Sequence, residues 1–191
     1  LAGKMGKEKP IVGELLEAGD HVVLVTPIDT SAPKGRMILP QVKVIRDILD
    51  AHGTLSVTQT GELPALLSSL KERTRLVITE SQAFECVKQM VPKDIPLTSF
   101  SILFDRYKGV LAGAVQGAAA LDRLKEGDRI LISEGCTHHR QCEDIGTVKL
   151  PGWIEKHTGK RFVYEFTSDG GFPEDLSGYA LVVHCGGCML N

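Results

Sequence analysis

Residues 21–79 read HVVLVTPIDTSAPKGRMILPQVKVIRDILDAHGTLSVTQTGELPALLSSLKERTRLVIT, and their alternation decides the fold. His21–Thr26 is an unbroken apolar run of strand length, as expected of a strand buried on both faces. Pro27–Met37, with Pro27, Pro33 and Gly35, is a turn-rich loop. Leu39–His52 then places Leu39, Val42, Ile45, Ile48 and Leu49 at helical spacing. Pro40 sits where a first-turn proline is tolerated, and Gly53 sits where a glycine ends a helix. Thr54–Thr58 is a second strand, Glu62–Lys71 a helix with Leu63, Leu66, Leu67 and Leu70 on one face, and Leu76–Thr79 a third strand. Beyond the quoted stretch, Ser81–Val91 reads as a helix turning Ala83, Phe84, Val87 and Met90 inward, and Pro96–Ser101 as a fourth strand. Strands and helices alternating at this spacing imply a parallel sheet with right-handed crossovers.

The second half repeats the scheme. Arg129–Ser133 (RILIS), Arg161–Phe166 and Tyr179–His184 (YALVVH) are strands, and Asp144–His157 is a helix interrupted at Pro151-Gly152. Gly109–Glu126 is expected to be a helix carrying Gly109, Gly113 and Gly117 every four residues. That smooth stripe fits either tight packing on its own sheet or a contact between subunits. The fold class is therefore α/β, two small parallel-sheet domains in tandem, divided near Lys108 into 18–108 and 109–191 after an opening segment 1–17.

Composition bounds the function. The 191 residues are 42 % hydrophobic and 24 % charged, as in an ordinary globular protein. A net charge of −2 argues against a nucleic-acid or acidic-membrane surface as the main partner. No apolar run approaches the ~20 residues of a membrane span, and no export signal opens the chain, so the cytoplasm is the expected compartment. The first residue is Leu1, so a preceding piece is expected. Four of five cysteines, Cys136, Cys142, Cys185 and Cys188, fall in the last third, a clustering that points to a metal or redox site.

Two strands end alike. RILIS-Glu134-Gly135 delivers Cys136, and YALVV-His184 delivers Cys185, with Cys188 following at CxxC spacing around Gly186 and Gly187. Parallel strands open their C-terminal ends on one edge, so these thiols are expected on one rim. The loop Gly135–Asp144 adds His138, His139, Cys142, Glu143 and Asp144. Zinc held by such a set, an iron–sulfur cluster and a dithiol oxidoreductase all fit these residues. The bland alternative is a group of ordinary buried thiols. Cys86, beside Phe84 and Val87, reads as a small core residue. His139 and Arg140 read as lining or solvent-facing, and His21, His52 and His157 carry no signal.

The stretch SEGCTHHRQCEDIGTVK (133–149), the closing HCGGCMLN (184–191) and PIDTSAPKGRMILPQ (27–41) resemble the FeFe-hydrogenase maturation GTPase family HydF over nearly the whole chain. The resemblance implies a dimerisation domain (18–108), a cluster-binding domain (109–191), and 1–17 as linker from a G domain. It implies a 4Fe-4S cluster held by Cys136, Cys185 and Cys188, the fourth iron being left to a replaceable ligand. Glu143, His138 and His184 are the candidates by position, Glu143 being favoured because a carboxylate binds weakly and lets go. Cys142 stands outside the three matched positions. No GxxxxGK[ST] pattern occurs, so GTP hydrolysis is not expected of these residues and no catalytic residue is named. The implied role is a scaffold that accepts a two-iron H-cluster precursor made by two radical-SAM maturases and delivers it to apo-hydrogenase. A homodimer is expected through the first domain, by pairing of edge strands, with a tetramer beyond it. A zinc-stabilised interaction module is the alternative.

Overall fold

The structure is a computed structural model that describes residues 9–28, 37–70, 73–134, 145–168 and 171–184. The chain divides into two units, Leu1–Val110 and Leu111–Asn191. In the first, β1 (His21–Val25), α1 (Leu39–Asp50), β2 (Thr54–Thr58), α2 (Leu63–Leu70), β3 (Thr74–Thr79), α3 (Phe84–Met90), β4 (Leu97–Ser99) and α4 (Phe100–Lys108) follow in order. Their strands form a four-stranded sheet, β2-β1-β3-β4, parallel throughout. Val22, Leu24, Leu76 and Ile78 pack with Val44 and Ile48 of α1 and with Phe100, Leu103 and Phe104 of α4. Val23, Val25 and Val77 pack instead with Leu63 and Leu67 of α2 and Val87 of α3. Both sheet faces are covered, which is why β1 is apolar at every position after His21.

The second unit runs α5 (Leu111–Ala118), β5 (Arg129–Glu134), α6 (Leu150–Thr158), β6 (Val163–Ser168) and β7 (Leu181–His184). Its three strands lie in the order β6-β5-β7, again all parallel. Leu124, Ile130, Ile132 and Ile154 form its core, with Leu150, Tyr164, Leu181 and Val183 packed against it. Two parallel-sheet α/β units in tandem are thus the architecture.

Several local expectations change. On α1 the buried residues are Pro40, Gln41, Val44 and Ile48, whereas Leu39, Val42 and Leu49 are exposed. Asp47 sets this rotation. Its Oδ2 accepts the backbone N–H groups of Ile11 (3.0 Å), Val12 (2.7 Å) and Gly13 (2.7 Å), clamping the incoming chain to α1. The Gln41 side chain accepts from the Ile38 N–H at 3.0 Å and donates to Glu80 at 2.8 Å, which fixes the start of the helix. The segment Phe100–Lys108, not anticipated as helical, is α4. The Ser99 hydroxyl accepts the Ile102 N–H at 3.2 Å, and Gly109, at φ +78°, ends the helix.

Gly109 therefore caps α4 and does not begin the next helix. That helix, α5, is shorter than expected, and none of its residues is buried. A Cβ added at Gly113 or Gly117 would meet nothing within 4 Å, so close packing of the glycine stripe on its own sheet does not occur. The expected interruption at Pro151-Gly152 is also absent. A π-helical turn, Ile145–Lys149, leads into α6 with Pro151 in the first turn, where its missing N–H costs no bond. Cys86 is exposed on α3 because Val87 takes the inward position.

Gly53 joins α1 to β2 where the chain is tightest. A Cβ there would stand 3.0 Å from Ile48 Cγ2, 3.2 Å from the Ile48 carbonyl oxygen and 3.3 Å from that of Asp20. Gly53→Ala is expected to destabilise the protein by about 1–3 kcal/mol, read from urea unfolding, because backbone atoms cannot retreat as a flexible side chain does.

His21 bridges β1 to β2. Thr54 Oγ1 donates to the Asp20 carbonyl at 3.3 Å, so it accepts from His21 Nδ1 at 2.8 Å, and Nε2 accepts from Ser56 at 3.0 Å. This is the neutral ring. Burial, and next the Arg73 charge, hold its pKa below the ordinary 6.5. The unfolded chain then binds the proton more readily than the folded one. Its contribution to stability is complete above pH 6.5 and is lost as acidification passes from 6.5 through the depressed native value. His21→Gln is expected to flatten the dependence of the unfolding midpoint on pH in that window.

Candidate functional site

β5 is the central strand of the second sheet, with β6 on one side and β7 on the other. Ser133 is in register with Thr167 and with His184, and Glu134 is in register with Ser168. All three strands are parallel, so these residues mark a single edge, the one where ligands of parallel α/β sheets bind. In sequence, Cys185 is the residue after His184 and Cys136 the second after Glu134. The structure thus brings together the two strand ends that lead into the cysteine motifs. Cys136, His138, His139, Arg140, Cys142, Glu143, Cys185 and Cys188 themselves lie outside the described residues.

Of the candidate ligands, His184 is described. Leu181 and Val183 pack into the core, so alternation along β7 puts Val182 and His184 on the opposite face, and His184 is exposed. Among the described residues no three His, Cys, Asp or Glu side chains are grouped to hold a metal ion. No helix among them is long and apolar enough to cross a membrane.

What holds β7 in place escaped the sequence reading. The Arg129 guanidinium pairs with Glu165, which also accepts from the Tyr179 hydroxyl, and Arg129 lies 5.0 Å from the centre of the Tyr179 ring. The Ala180 N–H donates to the Arg129 carbonyl at 2.9 Å. These contacts join β5, β6 and the approach to β7 one strand length before His184. Hydrogen bonding from Arg129, and next from Tyr179, holds the Glu165 carboxyl below its usual range. On the α6 side, Tyr164 donates to the Pro151 carbonyl at 3.3 Å, and burial, with Glu155 nearby, pushes its phenol up to about 12. It therefore remains a neutral donor at any physiological pH. Only the pairing of distant residues across the sheet reveals either role. The sole sequence signal is the alternation of Tyr164 and Glu165 to opposite faces of β6.

The first unit has a separate cleft of ≈ 260 Å³ lined by Asp20, Arg73, Thr74, Arg75, Asp94 and Pro96. Asp20 and Arg75 pair across 3.5 Å, and Thr74 Oγ1 is buried with no hydrogen-bond partner among the described residues. This cleft lies at the strand starts, the edge away from their C-terminal ends.

Comparison with known proteins gives matches to both units. The family model for the hydrogen maturase F dimerization domain matches residues 11–109, and that for the hydrogen maturase F tetramerization domain matches residues 112–191. No curated protein matches the chain. Among solved structures, the crystal structure of VinN aligns at 12 % identity and a TM-score of 0.41, covering 83 % of this chain and 48 % of that one. The chain thus spans about half the length of that protein.

Proposed function

The chain belongs to the hydrogen maturase F family, and on that footing we propose that it acts in FeFe-hydrogenase maturation as a scaffold. In this reading Cys136, Cys185 and Cys188 hold a 4Fe-4S cluster, and Glu143, His138 or His184 is the exchangeable fourth ligand. The cluster would supply an iron with one replaceable coordination position. A two-iron H-cluster precursor, made by two radical-SAM maturases, is the cargo, and apo-hydrogenase receives it. Nothing in this role asks the chain for GTP hydrolysis, which is left to a G domain of the family.

The observation that carries the reading is the side-by-side ending of β5 and β7. Two cysteine motifs far apart in sequence begin from neighbouring positions on one edge. The donor chemistry fits, since three thiolates satisfy three irons of a cubane and one position is left over. Gly186 and Gly187 between Cys185 and Cys188 carry no side chains, so backbone N–H groups there would be able to donate to cluster sulfur. Glu143, as an oxygen donor among thiolates, is the group best suited to let go when cargo arrives.

The first unit supplies a pairing surface. β2 is an edge strand with the sequence TLSVT, free of charge and proline, and Val57 on it is 44 % exposed. Among the described residues no strand pairs with its outer edge, and edges of this kind pair with other strands. The exposed Leu39, Val42 and Leu49 of the neighbouring α1 would be covered when two β2 edges join into one larger sheet.

Delivery is tested by mixing the cluster- and precursor-loaded chain, freed of small molecules by gel filtration, with apo-hydrogenase under anaerobic conditions. Hydrogen evolution is expected from the loaded chain and not from a chain carrying the cluster alone. A loaded chain that leaves the hydrogenase inactive would overturn the carrier role.

A further inference from the structure

The cleft of the first unit lies where β1, β3 and β4 begin, and its charges are only half paired. Asp20 precedes β1, Arg73 and Arg75 flank Thr74 at the start of β3, and Asp94 and Pro96 precede β4. β3 lies between β1 and β4 in the sheet, so the arginines belong to the middle strand and an aspartate to each flank. Asp20 is committed, since its Oδ2 accepts the Glu17 N–H at 2.8 Å and pairs with Arg75 at 3.5 Å. Arg73 and Asp94 line the same cleft, yet among the described residues neither has an ion-pair partner.

The sheet is irregular at this spot. His21 is in register with Thr74 but Val22 with Leu76, which leaves Arg75 as an extra residue. Bulges of this kind re-aim side chains and gather beside functional sites. Thr74 points to a ligand as well. It is 7 % exposed, and its hydroxyl has no hydrogen-bond partner among the described residues, whereas buried hydroxyls are nearly always paired.

The lining also selects the ligand. Two arginines against two aspartates leave no net charge, so a polyanion or a bare cation finds no hold. The groups without a partner among the described residues are one guanidinium, one carboxylate and one hydroxyl. The volume of ≈ 260 Å³ falls short of the ~300–1,000 Å³ of sites for drug-sized ligands, so the occupant is small. We propose that the cleft binds a small dipolar molecule of the free α-amino acid class, its carboxylate taken by Arg73 and the Thr74 hydroxyl and its ammonium by Asp94. The guanidinium fork matches the two oxygens of a carboxylate, and an ammonium brings donors to Asp94. The site lies in the first unit and asks nothing of the cluster, so it stands or falls independently of the scaffold reading.

The test is saturation-transfer NMR of the full chain with free α-amino acids, from glycine to arginine, at millimolar concentration, followed by titration of the best binder. Acetate, ethylamine and inorganic phosphate serve as controls that lack one of the two charges. One-to-one binding of at least one amino acid is expected, with acetate and ethylamine about ten- to a hundredfold weaker, since each forgoes a charged contact. Arg73→Gln and Asp94→Asn should each weaken the amino acid by a similar factor and leave thermal unfolding unchanged, because both residues are exposed. Thr74→Val should weaken it too, and the two surface variants decide the matter if that protein does not fold. No detectable binding of any amino acid overturns the inference, as does binding indifferent to Arg73→Gln and Asp94→Asn. Phosphate binding that exceeds amino-acid binding and survives Asp94→Asn also overturns it, making the cleft a plain anion site.

Discussion

Cys185→Ala is expected to abolish cluster binding outright: reconstituted protein should lose nearly all its iron and the EPR signal of the reduced cluster. Two thiolates do not hold a cubane that requires at least three, and the neighbouring Cys188 cannot serve two irons. Cys136→Ala and Cys188→Ala should behave alike. Cys142→Ala should retain the cluster, and Cys86→Ala, on the exposed face of α3 in the other unit, should be indistinguishable from wild type. Complete iron loss in Cys142→Ala would place that residue in the ligand set. Full loading of Cys185→Ala would remove the HCxxC motif from it.

The largest effect on stability is expected from Asp47→Ala. One carboxylate oxygen accepts three consecutive backbone N–H groups, those of Ile11, Val12 and Gly13. Removing it leaves three donors to find water, and it releases Ile11 and Val12, which are 7 % and 0 % exposed, from their seat in the core. Hydrogen bonds to charged groups contribute about 1.5–3 kcal/mol each and are not additive here, so a total loss of about 3 kcal/mol is expected. Asp47→Asn keeps an acceptor oxygen and should lose less. Circular dichroism in urea measures both, and a loss under about 1 kcal/mol for Asp47→Ala would show that the entry segment is held by burial alone.

The sequence makes β1 legible because a strand buried on both faces must be apolar at nearly every position, and HVVLV is. It makes the shared edge legible too, since parallel strands put their C-terminal ends together whatever their spacing in the chain. The particular register, Ser133 beside His184, is not legible. It is fixed by how β5 and β7 twist and pack, and by Arg129, Glu165 and Tyr179, which meet only after folding.

The inward faces of α2 and α3 follow their apolar spacing, whereas that of α1 does so only at Ile45 and Ile48. Its apolar residues run round more than one face, and Val44 rather than Leu39, Val42 and Leu49 joins Ile48 in the core, on the side where Asp47 meets a segment over thirty residues away. The helix Phe100–Lys108 hid behind a strand reading of Pro96–Ser101, although Ser99 ahead of it was a usable cap signal. His21 looked silent because its partners, Thr54 and Ser56, belong to another strand. Cys86 looked buried because a neighbouring valine is.

The scaffold reading stands or falls on the metal. The decisive measurement is anaerobic reconstitution of the wild-type chain with iron and sulfide, followed by metal analysis and EPR of the dithionite-reduced protein. About four irons and about four sulfides per chain, with the EPR signal of a reduced cluster, are predicted. Stoichiometric zinc, no iron and no EPR signal would contradict it and make the cysteines a structural metal site.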